Sequence, residues 1–271
     1  MSRRFSLAHL TALNLTPPAL VDIAAQAGYQ ACGLRLLPFT FGGVAYRLMD
    51  DPLLRDETLA RMRDTGIQVQ DIEILRLNET FKVSPYQSFF EAGQQLGAKH
   101  ILVAGEDRDR NRLIDSFARL CEACKPYGLT ADIEFMPWLA INDLAAARSL
   151  IEAAGQDNGG VLIDPLHFAR SGSTLDQLAD LPASMTHYAQ ICDAPADAPT
   201  DTAGMIHQSR SARLAPGEGG IPLKAILQRL PQDIPISIEI PNDAQCEQRG
   251  QAAWVRYCLE ASQRFFDREN D

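Results

Sequence analysis

Four oxygen-bearing side chains stand at the carboxyl ends of four short apolar runs in the second half of the sequence. They are Glu134 in ADIEFMPW, Asp164 in VLIDPLHFARSG, Gln190 in HYAQICDAP and Glu239 in PISIEIPN. A charge at the end of a buried strand is costly unless it is paired or bound to a metal. Carboxylate and amide oxygens are the preferred ligands of hard divalent cations. Their repetition at equivalent places therefore predicts one shared metal site.

Alternation within two of these runs predicts where the acids point. Glu134 lies between an isoleucine and a phenylalanine, and Glu239 lies between two isoleucines. Successive strand residues point to opposite faces, and in a barrel the apolar ones would pack outward against helices. We therefore expect both glutamates to point into the mouth of a barrel. The alternative for any single acid is a helix cap or an ordinary ion pair.

Strand-like and helix-like segments alternate along the whole chain, which predicts one (β/α)8 TIM barrel domain over residues 1–271. Apolar strand candidates lie near 5–9, 31–37, 67–75, 99–104, 129–134, 160–164, 187–192 and 235–240. Stretches of helical period cover roughly 17–27, 53–65, 85–96, 110–126, 142–154, 174–181, 221–230 and 245–267. Five glycines fall where helices should stop before the next strand: Gly28, Gly66, Gly97, Gly128 and Gly155. No G-x-G-x-x-G motif follows the first strand, so an open dinucleotide-binding sheet is disfavoured.

The longest irregular connections are expected at about 37–52 and 193–220, and both follow strands. In TIM barrels the loops after strands build the active-site face. Loop length and the strand-end acids therefore indicate the same end of the barrel.

Composition excludes several classes of function. The chain has 271 residues, 46% of them hydrophobic and 22% charged, with a formal net charge of -10, which argues against a nucleic-acid-binding surface. Pro17 and Pro18 interrupt the first apolar stretch too early for a signal peptide, and no apolar run is long enough to span a membrane. We expect a cytoplasmic protein without nucleic-acid or membrane partners, and a homo-oligomer is compatible with this composition. Cys121 and Cys124 lie in a helical pattern and are expected to be a buried pair rather than a redox or zinc motif.

The segments after strands five to eight together resemble the xylose isomerase-like TIM barrels. This superfamily includes sugar-phosphate isomerases and epimerases, hydroxypyruvate isomerase, and inosose isomerases or dehydratases. The resemblance covers essentially the whole barrel, and its specific parts are DPLHFARSG at 164–172 and RLAPGEG at 213–219. It implies that Glu134, Asp164, Gln190 and Glu239 bind one divalent metal ion. Many members carry His where this chain has Gln190, whereas the hydroxypyruvate isomerase-like branch has Gln. An all-oxygen set favours Mg2+ or Mn2+ over Co2+ or Zn2+.

The resemblance also implies an isomerase or epimerase of a small sugar or keto-acid that works through an enediolate. A metal that chelates a carbonyl and an adjacent hydroxyl acidifies the neighbouring C–H, and two carboxylates exchange the proton with that carbon. Glu134 and Glu239 are the candidates for this acid/base pair. His167, three residues after Asp164, is expected to hydrogen-bond a substrate oxygen or to orient a metal-bound water, unless it is a structural histidine.

Several further residues are candidates for contact with the substrate. Arg170 and Arg213 would suit an anionic small molecule, because guanidinium pairs well with carboxylate or phosphate. Their alternative role is a surface salt bridge. His9, Arg35 and Glu73 lie near the ends of early strands, where they would line the mouth or make structural pairs.

Other functions compete with this one. A metal-dependent dehydratase of a cyclic keto-acid or inosose, similar to 3-dehydroshikimate dehydratase, would use the same proton abstraction and then lose a β-hydroxyl. An endonuclease IV-like DNA repair enzyme shares the fold but needs a histidine-rich multi-zinc centre, which five histidines and a charge of -10 argue against. A barrel that only binds its ligand is disfavoured because all four metal positions hold oxygen donors. His100 and His207 have no partner pattern and are expected to be incidental.

Overall fold

The computed structural model describes residues 3–269, which form an eight-stranded parallel barrel surrounded by helices. The strands are β1 Phe5–Leu7, β2 Ala31–Arg35, β3 Gln68–Leu77, β4 His100–Gly105, β5 Thr130–Glu134, β6 Gly159–Leu162, β7 Ala189–Ile191 and β8 Ile236–Ile238. Neighbouring strands pair in parallel in the order β6-β5-β4-β3-β2-β1-β8-β7. The predicted TIM barrel is confirmed.

Helices alternate with the strands. They are α1 Pro17–Ala27, α2 Pro52–Thr65, α3 Gln87–Leu96, α4 Arg110–Cys124, α5 Leu144–Ala154, α6 Pro165–Arg170, α7 Leu175–Ala179, α8 Thr202–Ser211, α9 Leu223–Leu227, α10 Asp243–Arg249 and α11 Gln251–Glu269. Short 3-10 turns occupy His9–Ala12, Ser84–Tyr86, Lys125–Tyr127 and Ala183–Met185. The five glycines predicted as helix stops all have positive φ, a conformation that costs glycine little. None of the described helices is long and apolar enough to cross a membrane.

The barrel closes between β6 and β7 through much less pairing than its other seams. A single bridge joins Ile163 to Ala189, and the Gln190 N–H donates to the Ile163 carbonyl at 2.9 Å. Because Gln190 follows this bridge directly, the seam fixes the height at which its side chain enters the barrel.

Three features of the fold differ from the sequence prediction. The short helix α6 was not among the predicted helices. The helix expected over 245–267 is two helices, because Gly250 takes φ +80° and ψ 151° and breaks the chain direction between α10 and α11. The connection expected to be irregular over 193–220 contains α8, whose first turn is capped by the Asp201 side chain at 2.6 Å from the Gly204 N–H. This helix forms one wall above the barrel.

Apolar packing lies on both sides of the strands. The large core fills the space between strands and helices and includes Cys121 and Cys124, which are buried as predicted. A smaller cluster inside the barrel consists of Ile74, Leu102, Ala104, Met136, Leu162 and Tyr188. It separates the polar groups at the carboxyl end of the strands from those at the amino end.

Candidate active site

A cavity of about 350 Å³ opens at the carboxyl ends of the strands. Its walls include Glu134, His167, Arg213 and Glu239 together with Arg35. The apolar side chains of Ile74, Leu102 and Met136 also line it. Charged and apolar side chains therefore share the walls of this cavity, which lies at the end of the barrel where the sequence predicted the site.

The D-P-L-H segment positions two of these groups through a helix cap. Asp164 is the N-cap of α6, and its Oδ1 accepts the N–H groups of Leu166 at 2.7 Å and His167 at 3.1 Å. Pro165 occupies the first helical position, where its missing N–H removes no bond. The cap leaves Oδ2 of Asp164 free to bond elsewhere and fixes His167 beside it.

Arg213 connects Asp164 to Glu239. Its Nη1 donates to Asp164 Oδ2, and its Nη2 lies 2.9 Å from Glu239 Oε2. Burial lowers the pKa of a guanidinium, but the charges of Asp164, Cys192 and Glu239 outweigh it, so that the pKa of Arg213 is well above its ordinary value. Arg213 thus lines the cavity, but its charge is already shared between Asp164 and Glu239, so its predicted contact with a substrate stays a prediction.

Hydrogen bonds to Asp193 hold the R-L-A-P-G-E-G segment in place, and this fixes the position from which Arg213 reaches the cavity. Asp193 and Leu214 exchange backbone hydrogen bonds of 2.8 Å in each direction. The Asp193 carboxylate also accepts the N–H groups of Gly217 and Gly219 at 3.0 Å each. A Cβ on Gly219 would lie 2.2 Å from this carboxylate, so the close approach requires glycine.

Glu134 and Glu239 both hold their protons more tightly than exposed glutamates. Burial, followed by the charges of Glu239 and Asp164, raises the pKa of Glu134 well above its ordinary value. Burial raises the pKa of Glu239 to about 7, although Arg213 opposes the shift. Asp164 differs: burial raises its pKa, but the charge of Arg213 overrides this and leaves the pKa low.

The donor set fits a divalent cation. Three buried carboxylates face one buried guanidinium, and donor atoms of Glu134, Asp164 and His167 lie within 4.8 Å of one another. Glu134 Oε1, Gln190 Oε1 and His167 Nδ1 are buried atoms without a hydrogen-bond partner among the described residues. Buried polar atoms are normally satisfied, so these three groups require a further partner.

His167 lies close enough to Glu134 to share a ligand with it. Its Nε2 is 3.8 Å from Glu134 Oε1, and its ring packs edge-on against Trp138 at a centroid distance of 5.2 Å. Burial lowers the pKa of His167 to about 4, which keeps the imidazole neutral at pH 7. A neutral imidazole can ligate a metal or hydrogen-bond a substrate oxygen.

His9 lies beside the cavity but has no free nitrogen. Its Nδ1 accepts the Arg35 N–H at 2.9 Å, which makes Nε2 the protonated nitrogen that donates to the Leu15 carbonyl at 2.9 Å. Burial lowers the pKa of His9 to about 4, in keeping with a neutral ring. The geometry therefore gives His9 a structural role, and it positions Arg35. Arg35 itself lines the cavity and pairs with Glu73 at 2.5 Å.

The structure places Arg170 outside the cavity lining. Its Nε donates to Gln208 Oε1 at 3.0 Å, and its Nη2 donates to the Pro195 carbonyl at 2.6 Å. These bonds tie the segment after β7 to α8. Arg170 therefore supports the wall of the site from behind and does not face a substrate.

Sequence reasoning missed much of the cavity wall, including three large side chains: Phe39, Trp138 and Arg210. The guanidinium of Arg210 lies 4.6 Å from the Phe39 ring centre. The buried indole N–H of Trp138 has no partner among the described residues. All three follow strands β2, β5 and β7, so the rule that loops after strands build the site could have found them.

Comparison with known proteins decides the family. The family model described as xylose isomerase-like TIM barrel matches residues 21–258 of this chain. The chain belongs to the xylose isomerase-like TIM barrel family. This confirms the family indicated by the 164–172 and 213–219 segments.

Two enzymes are similar in sequence to about half of this chain. The inosose isomerase of Bacillus velezensis is 26% identical over 158 residues, which are 55% of this chain and 54% of that protein. The 3-dehydroshikimate dehydratase of Pseudomonas aeruginosa is 28% identical over 163 residues, which are 57% of this chain and 25% of that protein. The matches thus span about half, or less, of the relatives' own length.

Among solved structures, the IOLI protein with a bound zinc atom aligns over 98% of both chains with a TM-score of 0.81 and 19% identity. At this identity the likeness shows a shared fold. The zinc belongs to that protein.

The raised pKa of Glu239 predicts how the stability of the metal-free barrel depends on pH. A glutamate in an unfolded chain has a pKa of about 4.3. Between about pH 4.3 and pH 7 the unfolded chain releases this proton while the folded protein keeps it, so rising pH destabilises the fold. Glu239→Gln has no carboxyl to titrate here and therefore lacks this loss of stability. The free energy of unfolding of the variant, relative to wild type, should rise between about pH 4.3 and pH 7 and level off at higher pH. Urea unfolding of both proteins at pH 5 to 8 measures the difference, and a pH-independent difference would contradict the assignment.

Proposed function

We propose that this protein is a metal-dependent isomerase or epimerase of a small polyhydroxylated ketone or keto-acid. The observation that carries the proposal is the pair of buried glutamates, Glu134 and Glu239, on the walls of one cavity at the carboxyl end of the barrel. The charge of Glu239 contributes to the raised pKa of Glu134, so the two carboxylates act on the same small volume. The inosose isomerase relative supports this class of reaction.

The two glutamates would remove and return a proton at a carbon beside a carbonyl. A general base works best when its pKa lies near the working pH, and the pKa of Glu239 is about 7. Burial and the charge of Glu239 raise the pKa of Glu134, so in the metal-free cavity this carboxyl also binds a proton more readily than an exposed glutamate. Glu239 would therefore take the proton from one face of the carbon, and Glu134 would deliver one from the other.

Glu134, Asp164 and His167, whose donor atoms lie within 4.8 Å of one another, would hold the metal ion, with Glu239 and Gln190 Oε1 as further donors. When bound, a divalent ion polarises a substrate carbonyl and makes the adjacent C–H more acidic. The predicted carboxylate and amide set favours Mn2+ or Mg2+. The nearby imidazole of His167 adds the kind of donor that Zn2+ and Co2+ accept, so all four ions belong in reconstitution tests.

Arg213 and His167 would organise the cavity. Arg213 holds Asp164 and Glu239 at fixed positions from one side, and its Nε is anchored to the Ser209 carbonyl at 2.8 Å. A preorganised arrangement of this kind needs no rearrangement during reaction. The free Nδ1 of neutral His167 would hydrogen-bond a hydroxyl of the substrate.

Three neighbouring arginines favour a substrate that carries a negative group: Arg35 and Arg210 line the cavity, and Arg76 lies behind them, 5.3 Å from the Phe39 ring centre. Burial, followed by the positive charges of Arg35 and Arg76, lowers the pKa of Arg210. Arg35 pairs with Glu73, and Arg76 pairs with Glu106 at 2.7 Å. Arg210 takes part in none of the ion pairs found among the described residues, so its charge is the one left for a ligand.

Arg210→Ala should lower kcat/KM for an anionic substrate by about ten- to hundredfold, the loss of one charge-assisted hydrogen bond. The effect should appear mainly in KM, because Arg210 lies at the mouth and not beside the paired glutamates. Steady-state kinetics measures it, with Arg229→Ala, an exposed arginine just after α9 and outside the cavity lining, as the control. An unchanged kcat/KM would remove Arg210 from the substrate site.

A dehydratase of a cyclic keto-acid is the second candidate, supported by the 3-dehydroshikimate dehydratase relative. It would begin with the same proton removal and end with loss of a β-hydroxyl. Metal-reconstituted protein should be incubated with inososes, small ketoses, keto-acids and 3-dehydroshikimate, and products followed by mass and ultraviolet absorbance. A product of unchanged mass without new absorbance supports the isomerase. Loss of water with conjugated absorbance establishes the dehydratase, and no reaction in the whole panel would overturn both.

A further inference from the structure

A second cluster of potential metal ligands lies at the opposite end of the barrel. Asp132 is completely buried in β5, and its Oδ1 lies 2.7 Å from His187 Nδ1. His100 Nδ1 lies 3.6 Å from Asp132 Oδ2. The two imidazole rings are nearly parallel, with an interplanar angle of 8°. Donor atoms of all three residues lie within 4.8 Å of one another.

The register of the sheet places this cluster at the amino end of the strands. His100 is the first residue of β4 and pairs with Thr130, the first residue of β5. His187 precedes β7 by two residues. A groove of about 700 Å³ on this face is lined by His100, so the cluster is reachable from solvent. The cluster lies apart from the cavity that holds Glu134.

The neighbouring strand makes room for the cluster. Between β5 and β7, the β6 strand carries Gly160 beside Asp132. A Cβ at Gly160 would lie 2.3 Å from Asp132 Oδ1 and 2.5 Å from His187 Nδ1. Asp132 and His187 can therefore meet across β6 only because this position has no side chain.

We propose that His100, Asp132 and His187 form a second metal site, which binds a divalent transition-metal ion such as Zn2+. Two imidazoles and one carboxylate are a common donor set for such ions. With metal–ligand bonds of about 2.0–2.1 Å, tetrahedral ligand atoms lie roughly 3.3 Å apart. His187 Nδ1 lies 2.7 Å from Asp132 Oδ1 and His100 Nδ1 lies 3.6 Å from Asp132 Oδ2, and all three donors lie within 4.8 Å of one another. Side-chain rotation would bring them to the tetrahedral spacing.

The ion would strengthen the weakest seam of the barrel. Asp132 and His100 belong to β5 and β4, whereas His187 leads into β7, and β6 lies between them. The seam between β6 and β7 has only the Ile163–Ala189 bridge. A bound ion would link β4 and β5 directly to β7 across that seam, and the role is one of stability, as expected at the amino end of a TIM barrel.

Without an ion, the same residues form a hydrogen-bond cluster. His100 Nδ1 lies 2.8 Å from Thr130 Oγ1, which in turn donates to Asp132 Oδ2 at 2.5 Å. This arrangement satisfies Asp132 by itself. A direct measurement of bound metal therefore distinguishes a metal site from a metal-free hydrogen-bond cluster.

The test uses the full chain with the carboxyl-end site disabled by Glu134→Gln and Asp164→Asn. Titration of the chelated double variant with Co2+, followed by visible absorption, should still show one bound equivalent with a spectrum typical of nitrogen and oxygen ligands. Zn2+ should displace the Co2+ and raise the melting temperature. Adding His187→Gln should abolish the binding and the thermal shift, whereas His207→Gln, on α8, should change neither.

The proposal is overturned if the double variant binds no Co2+. It is also overturned if the double variant binds the same amount of Co2+ with and without His187→Gln. If a variant does not fold, crystals of wild-type protein grown with Zn2+ decide the question. Anomalous scattering at the zinc edge should show a peak between Asp132 and His187. Its absence, with zinc bound at the carboxyl end, would also overturn the proposal.

Discussion

Glu239→Gln and Glu134→Gln should each lower kcat by about 10²–10⁴-fold, the contribution of a positioned acid or base. Each change removes the proton-carrying group while keeping nearly the same shape, so the barrel should fold and the cavity should remain. The kinetics should be measured at saturating metal, with metal content and circular dichroism recorded for each variant. This separates loss of proton transfer from loss of the ion.

A matched control is Glu247→Gln, an exposed glutamate on α10 that should leave kcat and metal content unchanged. The two active-site variants should differ in pH profile, because Glu239 is assigned as the base and Glu134 as the acid. Wild-type activity and metal content in both variants would show that the assignment of the pair is wrong.

Arg213→Met should lower the free energy of unfolding of the metal-free protein by about 3–5 kcal/mol. This is the usual loss when one partner of a buried ion pair is removed. Asp164 and Glu239 would lose the guanidinium that both contact, and each is almost completely buried. The loss should grow with pH as Glu239 ionises near pH 7. Urea unfolding at several pH values, with and without Mn2+, measures the effect.

Arg170→Ala is the control for Arg213→Met. Arg170 is partly exposed, and its partners are an amide side chain and backbone carbonyls, which water can replace. Arg170→Ala should lower the free energy of unfolding by clearly less than Arg213→Met does, and this loss should not change with pH near 7. Equal stability of Arg213→Met and wild type would contradict the buried ion-pair account.

The sequence predicted the positions of Glu134 and Glu239 because strand alternation and strand ends are local properties. It also placed Asp164 and His167 together, because they are three residues apart after one strand, whereas the capped helix that fixes their geometry was not predicted. The partner of Asp164 was beyond such reasoning: Arg213 is 49 residues away and reaches it only when the barrel closes. The split of the last helix at Gly250 was missed because its helical period continues through the glycine.

Histidines were the least predictable residues. His9 stands near a strand end like a cavity residue, but a backbone N–H and a carbonyl occupy both of its nitrogens. His100 seemed incidental because Asp132 lies 32 residues further on and His187 lies 55 residues beyond that. The parallel register of β4 and β5 and the small Gly160 bring the three together, and neither leaves a local pattern.

The central claim is that Glu134 and Glu239 move a proton at a carbon beside a carbonyl. The most direct test incubates metal-loaded protein in D2O with a ketose or inosose that it converts. NMR of the recovered substrate and product then measures deuterium at that carbon. The account predicts deuterium at that carbon in wild type and none above background in Glu134→Gln or Glu239→Gln. Turnover by wild type without any deuterium in the product would mean direct hydrogen transfer within the substrate and would contradict it.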